Sequence, residues 1–146
     1  MKLYHYTPEQ NKESIITNGL CASYNCADTL IVNNCVRVIS EKAYVIRQNA
    51  LFFFNIEEED IQTGILEVSV EYSNLVKSKL YVANLELAEW IYNLAKGNVH
   101  NGLLRSYTQK YIQSFKKVRK IDDLWSYTST EILYNNDIPT KDLIIS

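Results

Sequence analysis

Leu3-Tyr4-His5-Tyr6-Thr7-Pro8, followed by Ser14-Ile15-Ile16 and then Gly19-Leu20, is the stretch on which the reading of this chain turns. Its opening residues have the aromatic content of a short strand, and Thr7-Pro8 marks a polar stop. Thr7 suits the N-cap of a following helix, and Pro8 its first position, where a missing N–H costs nothing. Gln10 stands three residues beyond Thr7, as in a capping box. Gly19 supplies the stop. The pattern predicts a strand, a turn and a helix that closes on glycine. His5 then sits near the strand end, where its ring reaches a ligand as readily as a core.

Outward from this stretch, the segment after Gly19 is polar, carries Cys21 and Cys26, and reads as a loop. Spacing predicts a helix over 40–48 with Val38, Tyr44 and Val45 as candidate buried positions. Residues 50–54 are an apolar run of strand length, ending in Phe52-Phe53-Phe54, and an acidic turn follows. Residues 64–72 alternate Leu66, Val68, Val70 and Tyr72 with Glu67, Ser69 and Glu71, the pattern of a half-buried strand. A strand over 79–83 leads to Asn84, which suits the cap of a helix reaching Gly97, with Leu87, Trp90, Ile91 and Leu94 at helical spacing. Tyr107, Tyr111, Ile112, Phe115 and Val118 predict a further helix over 106–120. Residues 124–129 read as a loop, and 131–134 as a strand. This order of elements is α+β.

With 146 residues the chain has the length of one domain and one sizeable core. A net charge of −2 gives no global footprint for nucleic acid. Lys110, Lys116, Lys117, Arg119 and Lys120 cluster in one segment and Glu57 to Asp60 in another, both of which read first as solvated faces. No apolar run is long enough to span a membrane, and the N-terminus lacks a basic region followed by an apolar one, so the expectation is a cytoplasmic protein. Cys21, Cys26 and Cys35 are odd in number and lack a C-x2-C pair, and the only histidine besides His5 is the distant His100. Free thiols without a metal are expected.

The opening stretch resembles that of the ADP-ribosyltransferase superfamily, in which a strand of the type "(L)YH(Y/G)T" precedes a helix of the type "SI(L/I)xxGL". The other end of the chain agrees in order: Thr130-Glu131-Ile132-Leu133-Tyr134, then Asp137-Ile138-Pro139 and Leu143-Ile144, is similar to the late strand that carries the family's catalytic Glu and to the "IP" turn after it. The resemblance implies a split, two-sheet β core with flanking helices. It also implies NAD as substrate, with Glu131 stabilising an oxocarbenium-like ribose, as carboxylates do in glycosidases.

By the same resemblance His5 would hold the ribose, Thr7 and the backbone of Tyr6 the nicotinamide amide, and Phe54 its ring, while Phe52 reads as plain core. Tyr44 and Arg47 lie on the helix where some relatives carry a phosphate-binding basic residue. The segment 126–130, with Tyr127 and Ser129, would face the acceptor. Ser129 stands where arginine-modifying toxins have Glu or Gln, which argues against an arginine acceptor. The bacterial DNA-modifying ADP-ribosyltransferase toxins share the "HxT" start and the "IP" end, so a nucleic-acid base in DNA or RNA comes first as acceptor and a protein side chain second. The basic set of the RNA 2'-phosphotransferases, which share the fold, has no counterpart here. Without the resemblance, Glu131 reads as a strand-edge carboxylate and His5 as a core histidine. The alternative function is a non-catalytic module that binds a nucleotide or a protein.

Overall fold

A computed structural model describes residues 1–22, 26–98 and 102–146. The chain is α+β: two antiparallel sheets with helices packed against them. His100, named above for its distance from the cysteines, and the middle of the polar segment after Gly19 lie outside the described residues.

Strand β1 (Lys2–Pro8) pairs with β3 (Ile65–Glu71), which pairs on its other edge with β7 (Leu143–Ile145). In the second sheet β2 (Leu51–Phe53) pairs with β6 (Thr130–Tyr134), β6 with β4 (Leu80–Asn84), and β4 with the short β5 (Lys116–Lys117). Alternation along each strand sorts the side chains into two cores. Leu3, Val68 and Val70 of the first sheet meet Phe53, Leu80, Val82 and Ile132 of the second in a core between the sheets. Residues of opposite parity in the second sheet, Ala83 and Leu133, face the other way and are covered by helices.

Those helices are α2 (Ala27–Arg37), α3 (Glu41–Gln48), α4 (Leu85–Lys96) and α5 (Gly102–Ser114). Val32, Val36, Ala43, Ala88, Ile91, Leu104 and Tyr111 are their buried contributions to the second core. Ser40 caps α3 by accepting from the Ala43 N–H, and Asn84 caps α4 by accepting from the Leu87 N–H, as their residue types predict. A shorter helix, α1 (Lys12–Asn18), stands at one end of the sheets. Gly19 ends it at φ +76°, and a Cβ there would also collide with the Ile138 carbonyl oxygen. Only glycine meets both demands, because Leu20 and Ile138 exchange backbone hydrogen bonds at that point.

Several expectations are corrected. Thr7 does not cap a helix: β1 continues through Pro8, a 3-10 turn (Glu9–Asn11) follows, and the Thr7 hydroxyl accepts from Asn11 Nδ2 at 2.8 Å. The loop expected after Gly19 contains α2. Its cap, Cys26, makes no side-chain bond to the helix backbone, its thiol pairing instead with the Thr29 hydroxyl at 3.2 Å, and its buried set, Val32, Asn33 and Val36, mixes polar with β-branched residues, which blurs the helical signal. The helix expected over 106–120 stops at Ser114; Lys116 and Lys117 join the sheet edge, and Val118 donates its N–H to Leu80. Val38, Val45 and Trp90 are exposed, since the tertiary fold turns Ala43 and Arg47 inward on α3 and Ala88 and Ile91 on α4.

Candidate functional site: a cleft between two parting strands

The site begins with one pair of backbone hydrogen bonds. Tyr4 and Phe54 exchange N–H to C=O bonds of 2.9 and 2.8 Å, which joins β1 to the end of β2 and bridges the two sheets. Continued antiparallel pairing would next match Tyr6 with Phe52. The strands part instead. The Phe52 carbonyl is taken by His5 Nδ1 at 2.9 Å, in the place where a Tyr6 N–H would have stood. By the two-residue alternation of a strand, the Tyr6 N–H and C=O point the same way as those of Tyr4, toward the opened gap.

A cavity of about 500 Å³ occupies that gap. Its wall includes His5, Tyr6 and Thr7 of β1, Ser14 of α1, and Phe52 and Phe54. The volume is in the range of small-ligand sites. Phe54 is 37% exposed, and its ring lies 5.9 Å from that of Tyr6 and tilted to it. The Tyr6 hydroxyl is committed elsewhere, donating to Glu67 Oε2 at 3.2 Å and accepting from the Glu58 N–H at 2.7 Å.

His5 is set up as a neutral acceptor. Burial lowers its pKa from the ordinary histidine value, only partly opposed by the Phe52 carbonyl. A neutral ring facing a carbonyl carries its proton on Nδ1 and leaves a lone pair on Nε2. Nε2 has no hydrogen-bond partner among the described residues.

A second polar group lies behind the first, on the helix side of the sheet. Glu131 alternates with Thr130 and Ile132 on β6, whose two neighbours and two covered faces leave all five of its residues buried. Arg47 Nη1 donates to Glu131 Oε1 at 3.0 Å and Oε2 at 3.2 Å, and Arg47 Nε donates to Asn33 Oδ1 at 2.6 Å. The Tyr111 hydroxyl donates to Glu131 Oε1 and accepts from Arg47 Nη1, both as short contacts. Burial pushes the Tyr111 phenol well above its ordinary value, so it keeps its proton. Burial opposes the Arg47 charge, but the Tyr111 and Glu131 oxygens outweigh it and hold the guanidinium protonated. Arg47 also lies against the Phe52 ring, 4.8 Å from its centroid.

The structure thus brings His5, Tyr6, Thr7 and Phe54 to one wall, and brings Arg47 and Glu131 together elsewhere. Glu131 is not part of the described cavity wall. Phe52 connects the two groups, its carbonyl on His5 and its ring on Arg47. It is half-buried and reaches the cavity, where plain core was expected. Tyr44 is half-buried outside the wall, under the Arg37 guanidinium at 5.7 Å. Tyr127 is half-buried with its hydroxyl donated to the Ser114 carbonyl, and Ser129 is exposed with its carbonyl accepting from Leu85; neither joins the wall.

Tyr111 and Asn33 are the site residues the sequence reading missed. Tyr111 has only its helical spacing as a signal, which says core, and its hydroxyl acquires a role through residues 64 and 20 positions away. A second depression of about 300 Å³, lined by Cys35, Val38, Leu104 and Arg105 among others, has a more apolar wall. Cys21, Cys26 and Cys35 are free thiols, and no group of three or more metal-ligating side chains occurs among the described residues. No helix among the described residues is long and apolar enough to cross a membrane. No family model, curated protein or solved structure matches the chain.

Proposed function

We propose that the chain is a ligand-binding module of ADP-ribosyltransferase-like plan, in which the cleft beside His5 takes a ribose-bearing ligand, a nucleoside or nucleotide, without turning it over. The observation that carries this reading is the parting of β1 from β2 after the Tyr4–Phe54 pair, which opens one wall formed by His5, Tyr6, Thr7 and Phe54. His5 Nε2 accepts from a ribose hydroxyl, the Tyr6 backbone offers a donor and an acceptor to an amide or base edge, and Phe54 lies under the ring. NAD is the first ligand to try, on the resemblance. Calorimetry with NAD should show binding that falls about fivefold or more in His5→Gln and in Phe54→Ala, since one lost hydrogen bond or ring contact is worth about 1 kcal/mol. Unchanged affinity in both variants would overturn the reading.

A second reading, an NAD-dependent ADP-ribosyltransferase acting on a nucleic-acid base or a protein side chain, is favoured by one observation. The Arg47–Glu131 pair lies directly behind Phe52, whose ring belongs to the cavity wall. For Glu131 to reach a ribose, its contacts with Arg47 and Tyr111 would have to open, which is why binding without turnover stands first. Radiolabelled NAD offered with DNA, RNA and protein separates the two. In a transferase, Glu131→Gln keeps most of the NAD affinity and loses roughly 100- to 1000-fold in rate. No transfer by the wild-type chain to any acceptor leaves the binding module.

A further inference from the structure

The cleft has a charge pattern that selects among ribose-bearing ligands. No Lys, Arg, Asp or Glu is among the described residues of its wall. Its polar groups are neutral: His5, the Tyr6 backbone, Gln10, Asn11, Ser14 and Thr29. Lys12, between Asn11 and Ser14 on α1, is exposed and is not part of the wall.

Beyond the wall lie charges of both signs: Lys12 on the surface, the Arg47 guanidinium behind Phe52 already paired with Glu131, and several carboxylates. The Glu67 carboxylate holds the Tyr6 hydroxyl, and Glu57 and Glu58 follow in the acidic run after Phe54. At the other end Asp137 Oδ1 accepts from the Ala22 N–H at 2.7 Å, next to Cys21 of the wall. Asp28, in the first turn of α2 between the wall residues Cys26 and Thr29, adds a negative charge to that helix end, its Oδ1 accepting from the Tyr92 hydroxyl at 3.2 Å. A phosphate group offers only acceptors at neutral pH, whereas His5 Nε2, without a partner among the described residues, is itself an acceptor and calls for a donor.

We infer that this cleft binds the uncharged nucleoside and has no phosphate subsite, so that an aromatic base and its ribose hydroxyls are recognised and each phosphate added weakens binding. This rests on the reading of the His5 cleft as the ligand site and narrows its ligand class. Ribose hydroxyls are donors and fit Nε2. A base edge presenting a donor beside an acceptor fits the Tyr6 N–H and C=O. A phosphate on the 5' oxygen would find no cation among the described wall residues, and the guanidinium behind Phe52 is already committed to Glu131, so its charge would go uncompensated in a site of low dielectric.

The test is calorimetry on the full chain with adenosine, guanosine, cytidine and uridine, each against its 5'-monophosphate, and with NAD. The expected result is that the nucleoside bound best exceeds its monophosphate by about tenfold or more at low salt, with the gap narrowing as salt rises. Gln10→Lys places a cation on an exposed rim residue without touching the core, and should raise monophosphate affinity relative to nucleoside. A monophosphate or NAD bound as tightly as the nucleoside, and weakened by His5→Gln, overturns the inference while the ligand-site reading stands. No binding of any nucleoside or nucleotide overturns both.

Discussion

Two sets of polar side chains flank Phe52, and they differ in one respect. In the set behind the sheet, Arg47, Glu131 and Tyr111 bond to one another, and Asn33 Oδ1 accepts from Arg47 Nε; the sole buried orphan among the described side chains is Asn33 Nδ2. In the cleft, His5 has one nitrogen committed and one without a partner among the described residues, and Tyr6 has backbone groups facing a gap. By residue type the closed set looks the more catalytic, with a carboxylate, a guanidinium and a phenol. The open set is the one with bonding capacity left for a ligand. Chemical availability follows from which groups the fold leaves unpaired, and a buried charged set is costly unless it is paired.

The comparison breaks first at the closed set, where the largest effect is expected. Arg47→Met or Glu131→Leu alone strands its partner's charge in the second core and should destabilise by about 3–5 kcal/mol. The double variant should cost clearly less than the sum of the two. Urea unfolding of the three variants measures this. Single variants costing under about 1 kcal/mol would mean that the pair is solvated, and the contrast with the cleft would dissolve.

Gly19→Ala comes next. Its φ of +76° and the clash with the Ile138 carbonyl should together cost at least about 1–3 kcal/mol and disturb the end of the cleft that Gly19 lines. A drop in both melting temperature and ligand affinity is expected; a loss of stability with affinity intact would detach α1 from the site.

A smaller effect sharpens the open set through pH. The folded-state pKa of His5 is lowered below 6.5, so below that pH the unfolded chain takes up a proton that the folded chain resists. The contribution is complete above pH 6.5 and is lost as pH falls through the folded-state value. Unfolding free energies of wild type should therefore drop more steeply between about pH 7 and 5 than those of His5→Asn, which has no proton to gain. Parallel curves would place the ring in water.

The smallest effect is expected where the fold turned two valines outward. Val38→Asn and Val45→Lys should each change stability by no more than about 0.5 kcal/mol, because both side chains are exposed. Larger losses would mean that these positions pack as the sequence pattern predicted.

Legibility varied with the range of the interactions involved. The strand at His5, the stop at Gly19, the cap at Asn84 and the alternation from Leu66 to Val70 were readable, because each depends on neighbours within a few residues. Those local signals suffice for an α+β chain; the two-sheet core came only from the resemblance. The resemblance named His5, Tyr6, Thr7 and Phe54 together with Tyr44 and Arg47; the first four line one wall and the last two do not. The sequence pattern missed α2, whose apolar block Leu30-Ile31-Val32 is followed by Asn33-Asn34, and it ran α5 six residues too far, because lysines at a sheet edge look like lysines on a helix.

What tertiary structure alone decided is the fate of each charge. Glu131 reads as an edge carboxylate until β6 is known to be the second strand of four, covered on both faces, with Arg47 from 84 residues earlier and Tyr111 from 20 residues earlier on its oxygens. Val38, Val45 and Trp90 follow the helical period as well as Ala43 and Ile91 do, yet only the packing of α2 to α5 on the sheet selects which face goes inward. Local sequence determines backbone conformation because the forces involved act over a few residues. Burial, pairing and the opening of a cleft between β1 and β2 depend on contacts between residues far apart in the chain, and so they appear only in the folded structure.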